Sequence, residues 1–375
     1  MIDPHKMAIH EFLQAVDESR IPDCILHDPS DPDFVLALPL FPLFEGDDTV
    51  QLDAATANIS YSLFSLFPRH ELGFHNEKGI ANLVRTILTV PDLSLVEART
   101  LLDRGHKGAA LREKICFQVK DPILVEYWSH EFGVIDKAIG ARIKSRVDRL
   151  FESRRLLPLF ANKLKRLSYS EIVSSNKIFL ACTSVQSGPD LASILGAIHL
   201  TALQTAAFSR NPVGGVPSTF TLFVDEFGNY SNPTTMGHFL RTLRKYGISQ
   251  VLATQDIEAL PAGIKEAIGN INTHLIFRQG WTDAQHYAKF LNNRVPVNDF
   301  TSTGIGEAFV KMGGQFAKIR TQLAAKKRGL EILEEVRRLT REQYCIPTQE
   351  VMAQLRAHRQ ESAVALDSLK SLDQF

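Results

Sequence analysis

Cysteine is scarce in this chain and widely spread, at Cys24, Cys116, Cys182 and Cys345. No two stand at metal-ligand or redox-pair spacing, which excludes a zinc module or a disulfide scaffold and leads us to expect a reduced, cytosolic setting. Net charge is lacking too. Lys plus Arg is 42 and Asp plus Glu is 42, so any contact with nucleic acid must come from a local patch. No apolar run approaches the roughly 18 to 20 residues of a membrane helix, and the opening MIDPHKMAIHEF has no signal-peptide pattern. The histidines lack ligand spacing, so no metal site is expected from them. No Ser-His-Asp or Cys-His set stands out, and there are no internal repeats. What is there is 44% hydrophobic and 22% charged over 375 residues, enough for one large α/β domain or two smaller ones.

The most informative stretch is FTLFVDEFGNY, Phe220 to Tyr230. A short apolar run bounded by a turn signal predicts a strand buried on both faces. It ends on Asp225 and Glu226. In an open parallel sheet, ligands bind beyond the carboxyl ends of the strands, so two acids there match a Walker B motif. In such a motif the Asp holds the Mg²⁺ of a bound nucleotide and the Glu orients the attacking water. An ordinary strand end, its acids solvated or capping a helix, is the other reading, and these residues alone leave both open.

The rest of the chain divides by periodicity. In residues 1–50, Ile2-Asp3-Pro4-His5 reads as a strand end, Ala8 to Ala15 as a helix and Asp23 to His27 as a strand closed by the turn-rich Asp28 to Pro32. This is part of a βαβ unit, entered partway through. Residues 51–166 turn helical. Their helices include Asn82 to Leu88, Leu95 to Leu102 behind a Ser94/Glu97 capping box, and Ile123 to Phe132. They predict an all-α insertion. From Lys137 to Arg166 ten basic residues stand against two acids, which reads as a solvated helix face or as a phosphate-contacting surface. Residues 167–345 return to strands (Lys177 to Cys182, Ile248 to Ala253, Asn272 to Arg278) and helices (Asp190 to Phe208, Thr235 to Tyr246 ended by Gly247). A Gly/Pro turn is expected at Asn211 to Ser218 and a hairpin around Gly313-Gly314. The alternation predicts a parallel sheet wrapped by helices. Residues 346–375 read as a helical tail, and the charged helix before them as part of that tail or as a partner-facing surface.

Taken in order, these pieces resemble the TraG/TraD coupling proteins of type IV secretion and conjugation, hexameric DNA-translocating ATPases related to HerA and FtsK. Ile2-Asp3-Pro4-His5 is similar to the family's IDPHGD element, with Lys6-Met7 in place of Gly-Asp. Asp28 to Asp31 is similar to its DPSD turn, and Lys177 to Leu180 with Ser187 to Gly196 resembles its KILLVNLSKG…LLG strand and helix. Val224 to Phe227 resembles the Walker B, Leu243 to Gly247 the RKYG element and Ala253-Thr254-Gln255 the ATQ element. Gly269-Asn270 and Phe277-Arg278 resemble the GN…FR segment. The resemblance runs nearly end to end.

It implies a RecA-like P-loop NTPase core, a mostly parallel sheet flanked by helices and carrying the all-α insertion. It implies ATP and Mg²⁺ as cofactors, DNA as substrate, relaxosome or secretion-channel proteins as partners, and a homo-hexamer. Asp225 would hold Mg²⁺ through water, Glu226 would polarise the attacking water and Gln255 would sense the γ-phosphate. Arg244, or Arg241 on the same face, would reach the nucleotide of the next subunit. Arg278 is a further cation that could contact the nucleotide or end a strand in an ion pair, and His5 is expected to be structural. One element is absent from the sequence: no GxxxxGK[ST] occurs anywhere. In the family that phosphate cradle lies upstream of the IDPHGD strand. The expectation is therefore a carboxy-terminal portion of an ATPase that lacks the P-loop strand and helix, does not hydrolyse ATP alone, and sits in the cytoplasm or at the inner-membrane face. A HerA-type DNA helicase and a non-catalytic module docking relaxosome proteins are the alternatives.

Overall fold

The computed structural model describes residues 1–357 except 42, 44–48, 65–72, 92, 135–136, 153–155, 185–188, 209, 211–218, 231–239, 241, 324 and 326–327. Five strands form a parallel sheet: β1 (Ile2–Asp3), β2 (Cys24–His27), β4 (Ile178–Cys182), β5 (Phe220–Val224) and β6 (Ile248–Leu252). Their order is β2-β4-β1-β5-β6. Ile2 is in register with Ala181 on one side and Val224 on the other, so β1 joins the Walker B strand to β4. Because every pairing is parallel, all five carboxyl ends lie along one edge.

The insertion is helical, as its period predicts. Its longest helices are α2 (Thr49–Leu63) and α3 (Phe74–Thr89). The Ser94/Glu97 capping box forms as expected, with Ser94 N–H donating to Glu97 Oε2 at 2.9 Å. Helix α4 (Lys137–Asp148) carries part of the basic run, and two lysines of that run are ion-paired. Lys144 meets Asp103 at 2.8 Å, Lys163 meets Glu97 at 2.9 Å, and Arg99 from outside the run meets Asp148.

Between the layers lies α5 (Pro189–Phe208). Leu191, Ile194, Leu195 and Ile198 pack into the helical layer, while Ala197, Leu200, Leu203 and Ala207 pack on the sheet. This corrects one sequence expectation. The segment Leu191–Phe208 is long and apolar enough to cross a membrane by length and composition, and 78% of it is buried inside the fold. His199, Thr201 and Gln204 interrupt the run, so counting consecutive apolar residues misses it. A helix apolar all round is what a position between two packed layers requires.

Three further corrections follow. The Asn272 to Arg278 strand, expected in the parallel sheet, is β7 (Thr273–Ile276) of a separate antiparallel sheet. There it pairs with β8 (Glu307–Met312), which forms the expected hairpin with β9 (Gln315–Arg320). Gly313 supplies the hairpin's positive φ of 57°. Helix α6 (Ala262–Gly269) leads into β7, and α7 (Trp281–Phe290) leaves it to cover one face of this sheet. Next, β5 is not buried on both faces: Leu222 and Val224 are buried, Thr221 and Phe223 exposed. A short apolar run states its own burial potential and not whether another element covers it. Finally, the charged helix is neither free tail nor docking surface along its inner stripe. In α8 (Glu331–Tyr344), Ile332 and Val336 are buried against β2 and α1 (Met7–Ala15). The next strand, β10 (Cys345–Pro347), pairs antiparallel with β3 (Phe34–Leu36). Residues 348–357 are helical, and Val351 and Leu355 enter the core of the helical layer.

Candidate active site at the carboxyl edge of the sheet

Parallel register brings the ends of β1, β5 and β6 side by side. Asp225 N–H donates to Ile2 O at 3.0 Å and Ala253 N–H to Val224 O at 2.9 Å. The turn after β5 folds back across β6, with Phe227 N–H donating to Ala253 O at 3.0 Å. Glu226 sits at the apex with φ 49° and ψ 43°, a left-handed conformation that costs a non-glycine residue about 1–2 kcal/mol. Such strain persists where surrounding structure over-determines it, and functional turns are where it collects. Here it is held by Phe227, buried in the core, and by the hydrogen bond to β6.

Asp225 and Glu226 are half-buried, and among the described residues neither has an ion-pair partner. Asp225 Oδ1 accepts from Glu226 N–H at 3.1 Å. Burial, and after it the neighbouring Asp3 carboxylate, raise the Asp225 carboxyl above its ordinary value, with His5 opposing. Asp3 is fully buried. Its oxygens accept from His5 N–H at 2.7 Å and Ile9 N–H at 3.1 Å, so it fastens the start of α1 to the end of β1. The motifs assign Asp3 no role; its position after an apolar strand end was the available signal. His5 itself is exposed.

Tyr230 backs the acids. Its hydroxyl meets Thr183 Oγ1 at 3.3 Å, and its ring lies where a Cβ on Gly196 would stand 2.3 Å away. Glycine at 196 therefore lets α5 approach the turn. Lys6 reaches away from the acids, to Asp28 Oδ1 at 2.9 Å and Ser30 Oγ at 2.7 Å at the end of β2.

The structure brings Gln255 to the same edge as Asp225 and Glu226. It is exposed, two residues past the Ala253 amide that locks the turn. Arg244 lies elsewhere. It is exposed in the turn Leu243–Tyr246 that precedes β6, at the opposite edge of the sheet, about 16 Å of strand from the acids. Its position keeps it away from the acids of its own chain. Gly247 ends that turn with φ 74°, as expected of a C′ glycine. Arg241 and half of the expected Thr235 to Tyr246 helix fall outside the described residues, as does the Asn211 to Ser218 turn. Arg278 is exposed just past β7.

Asp3 is spent on backbone N–H groups, and among the described residues no three His, Cys, Asp or Glu side chains gather as a metal-ligand set. Asp225 and Glu226 are the two carboxylates left without a described ion-pair partner for a cation held through water. The chain carries no Gly-rich turn with a lysine to cradle phosphates.

The fold is that of the RecA-like coupling ATPases. VirB4 of Thermoanaerobacter pseudethanolicus superposes with TM-score 0.54 at 13% identity, covering 86% of this chain and 81% of its own. The bacterial conjugative coupling protein TrwB, in a form complexed with sulphate, reaches 0.57 at 13% identity, covering 88% and 80%. A second TrwB structure, holding ADP and Mg²⁺, gives 0.52 at 13% identity with the same coverage. Residues 219–339, from the Walker B strand to α8, match the family model for the TraM recognition site of TraD and TraG. Over that segment the chain is similar to the TraG/TraD coupling proteins, the family that the order of its motifs resembles. No curated protein matches the chain.

Proposed function

We propose that this chain is the acid-bearing part of a DNA-moving motor ATPase of the type IV secretion coupling class, and that it turns over ATP only when a phosphate-binding loop joins it. In that reading Asp225 accepts from the waters around Mg²⁺ and Glu226 aligns the attacking water. The Gln255 amide donates to a phosphate oxygen while accepting from that water. Bound Mg²⁺ supplies charge neutralisation on the phosphates. Arg244, at the far edge, serves the nucleotide of a neighbouring subunit in a hexameric ring. DNA is the substrate, relaxosome or secretion-channel proteins are the partners, and the cytoplasmic face of the inner membrane is the place of work.

The observation that carries the reading is the convergence of Asp225, Glu226 and Gln255 on one edge, in a chain that matches the TraD/TraG family model over the same strands. The test is MgATP binding and hydrolysis by the chain alone, with Glu226→Gln as control. We expect neither binding nor turnover. Turnover that disappears in Glu226→Gln would mean that the chain holds a complete site. The absent GxxxxGK[ST] and the family model's own description favour a second reading, a non-catalytic module that docks relaxosome proteins. DNA transfer that survives loss of both acids would select it.

A further inference from the structure

The loop that carries Gln255 is tied to two different parts of the fold. It runs from Ala253, just past β6, to Leu260. Its first ties lead to the acids. Phe227 N–H donates to Ala253 O at 3.0 Å. Leu260 returns to the same turn, its Cδ2 lying 2.4 Å from where a Cβ on Gly228 would stand. Ile257 and Leu260 are buried in the core of the parallel sheet. Within the loop, Asp256 Oδ1 accepts from Ala259 N–H at 3.0 Å.

The second ties lead to α7, which covers the antiparallel sheet. Asp283, in the first turn of α7, is 7% exposed. It accepts from Glu258 N–H at 3.1 Å and also from Ile257 N–H. The Glu258 carboxylate meets His286 Nδ1, further along α7, at 2.7 Å and Lys265 of α6 at 2.9 Å. Tyr287 packs against the cores of both sheets. An acid placed in a first turn only for the helix dipole would stay in water; this one is buried. Burial, and then the Asp256 carboxylate, raise the Asp283 carboxyl above its ordinary value, against the N–H groups of Glu258 and Ile257. A carboxylate so placed depends on those two N–H groups, and they on it.

We infer that Asp283 is a positioning residue for Gln255, a latch through which α7 and the antiparallel sheet set the place of that side chain at the edge where the acids lie. Gln255 is exposed, and among the described residues no hydrogen bond holds its side chain. Its direction is therefore set by the backbone on either side of it. On one side Ala253 is fixed to the acid-bearing turn; on the other Ile257 and Glu258 are fixed to Asp283. A shift of α7 relative to the parallel sheet turns Gln255 toward Asp225 and Glu226 or away from them, without touching either acid. The latch stands on these bonds; that Gln255 meets a phosphate there rests on the ATPase reading above.

Two substitutions separate the latch from a merely structural role. Asp283→Ala removes the acceptor, whereas Asp283→Asn removes the charge and keeps an acceptor oxygen for the N–H groups. The readout is a nitroxide on Gln255→Cys in a full chain carrying Cys116→Ser, since Cys24, Cys182 and Cys345 are buried. Amide exchange is followed on the same chains. With Asp283→Ala the label should gain mobility, and exchange in 225–230 should quicken about tenfold, the scale of losing two buried hydrogen bonds. With Asp283→Asn both should stay near the parent. His286→Ala spares the buried acid and should loosen the label by a smaller step. Exchange in the hairpin, 307–320, should not change in any of them. A label as ordered in Asp283→Ala as in the parent overturns the latch. So does an Asp283→Asn chain as loose as the Asp283→Ala one, and so does quickening that reaches 307–320 equally, which would mean that Asp283 only keeps the fold together. No nucleotide enters these readings, so the latch fails here and the ATPase reading fails in the MgATP assay, each apart from the other.

Discussion

Lys6 is where the chain departs most visibly from the IDPHGD pattern, and its backbone explains the family's glycine. It has φ 65° and ψ −13°, a conformation that costs a residue with a Cβ about 1–2 kcal/mol. The lysine head offsets this through Asp28 and Ser30. Burial pushes the Asp28 carboxyl up, but hydrogen bonds from Ser30 and Lys6 outweigh it and bring it down to about 2. Lys6→Ala loses the pair and keeps the strain, whereas Lys6→Gly loses the pair and releases it. The glycine variant should therefore be more stable than the alanine variant by about 1 kcal/mol in urea unfolding. An alanine variant as stable as the glycine one would show that strain does not govern this position. The substitution was legible in the sequence; the dihedral behind it was not, because spacing carries no φ. Glu226 teaches the same lesson, since VDEF gives the acids but not the left-handed apex that presents the second one.

At the scale of elements, the parallel sheet around the acids was readable because strands alternate with helices along the chain. What escaped was everything that depends on a second element. The exposed face of β5 and the antiparallel placement of β7 are of this kind, and so is a polar chain through the core. His27 at the end of β2 meets His199 of α5 at 2.8 Å, and His199 meets the Tyr169 hydroxyl at 3.0 Å, all fully buried. Residues so far apart in sequence give no local signal. Burial lowers His27 to about 4, against the weaker pull of Asp28, and holds His199 well below its ordinary value, helped by His27. Both imidazoles are neutral in the folded state, whereas the unfolded chain takes up protons from about pH 6.5 downward. Unfolding free energy should be level above pH 6.5 and fall from there toward pH 4. The Asp28 contribution is lost lower, between its ordinary value and about 2. A stability profile that stays level down to pH 5 would refute the neutral pair.

At the scale of the whole molecule, the helical layer is assembled from two distant parts of the chain. Ile346, Val351 and Leu355 are buried among residues of α2 and α3 and their neighbours. The charged exterior of α8 hid this, since only Ile332, Val336 and Thr340 of its length turn inward. Truncation after Tyr344 removes the three side chains buried in that layer, worth roughly 1.5–3 kcal/mol each, together with the β3–β10 ladder. Exchange should accelerate in 49–63 and 74–89 while β4 and β5 stay protected. Equal acceleration in both layers would mean that they unfold as one unit.

That ladder has a mechanical meaning. Ala37 N–H donates to Tyr344 O at 2.8 Å, Arg166 N–H donates to Ala37 O at 2.8 Å, and Arg166 Nη1 donates to Cys345 O at 2.7 Å. The chain's way into the helical layer, its way out and its final return are thus bolted together at one waist. A twist applied to the helices has no slack tether in which to dissipate there. It arrives as torque at a fulcrum a few residues wide, on the side of the sheet opposite the edge where β6 stands open.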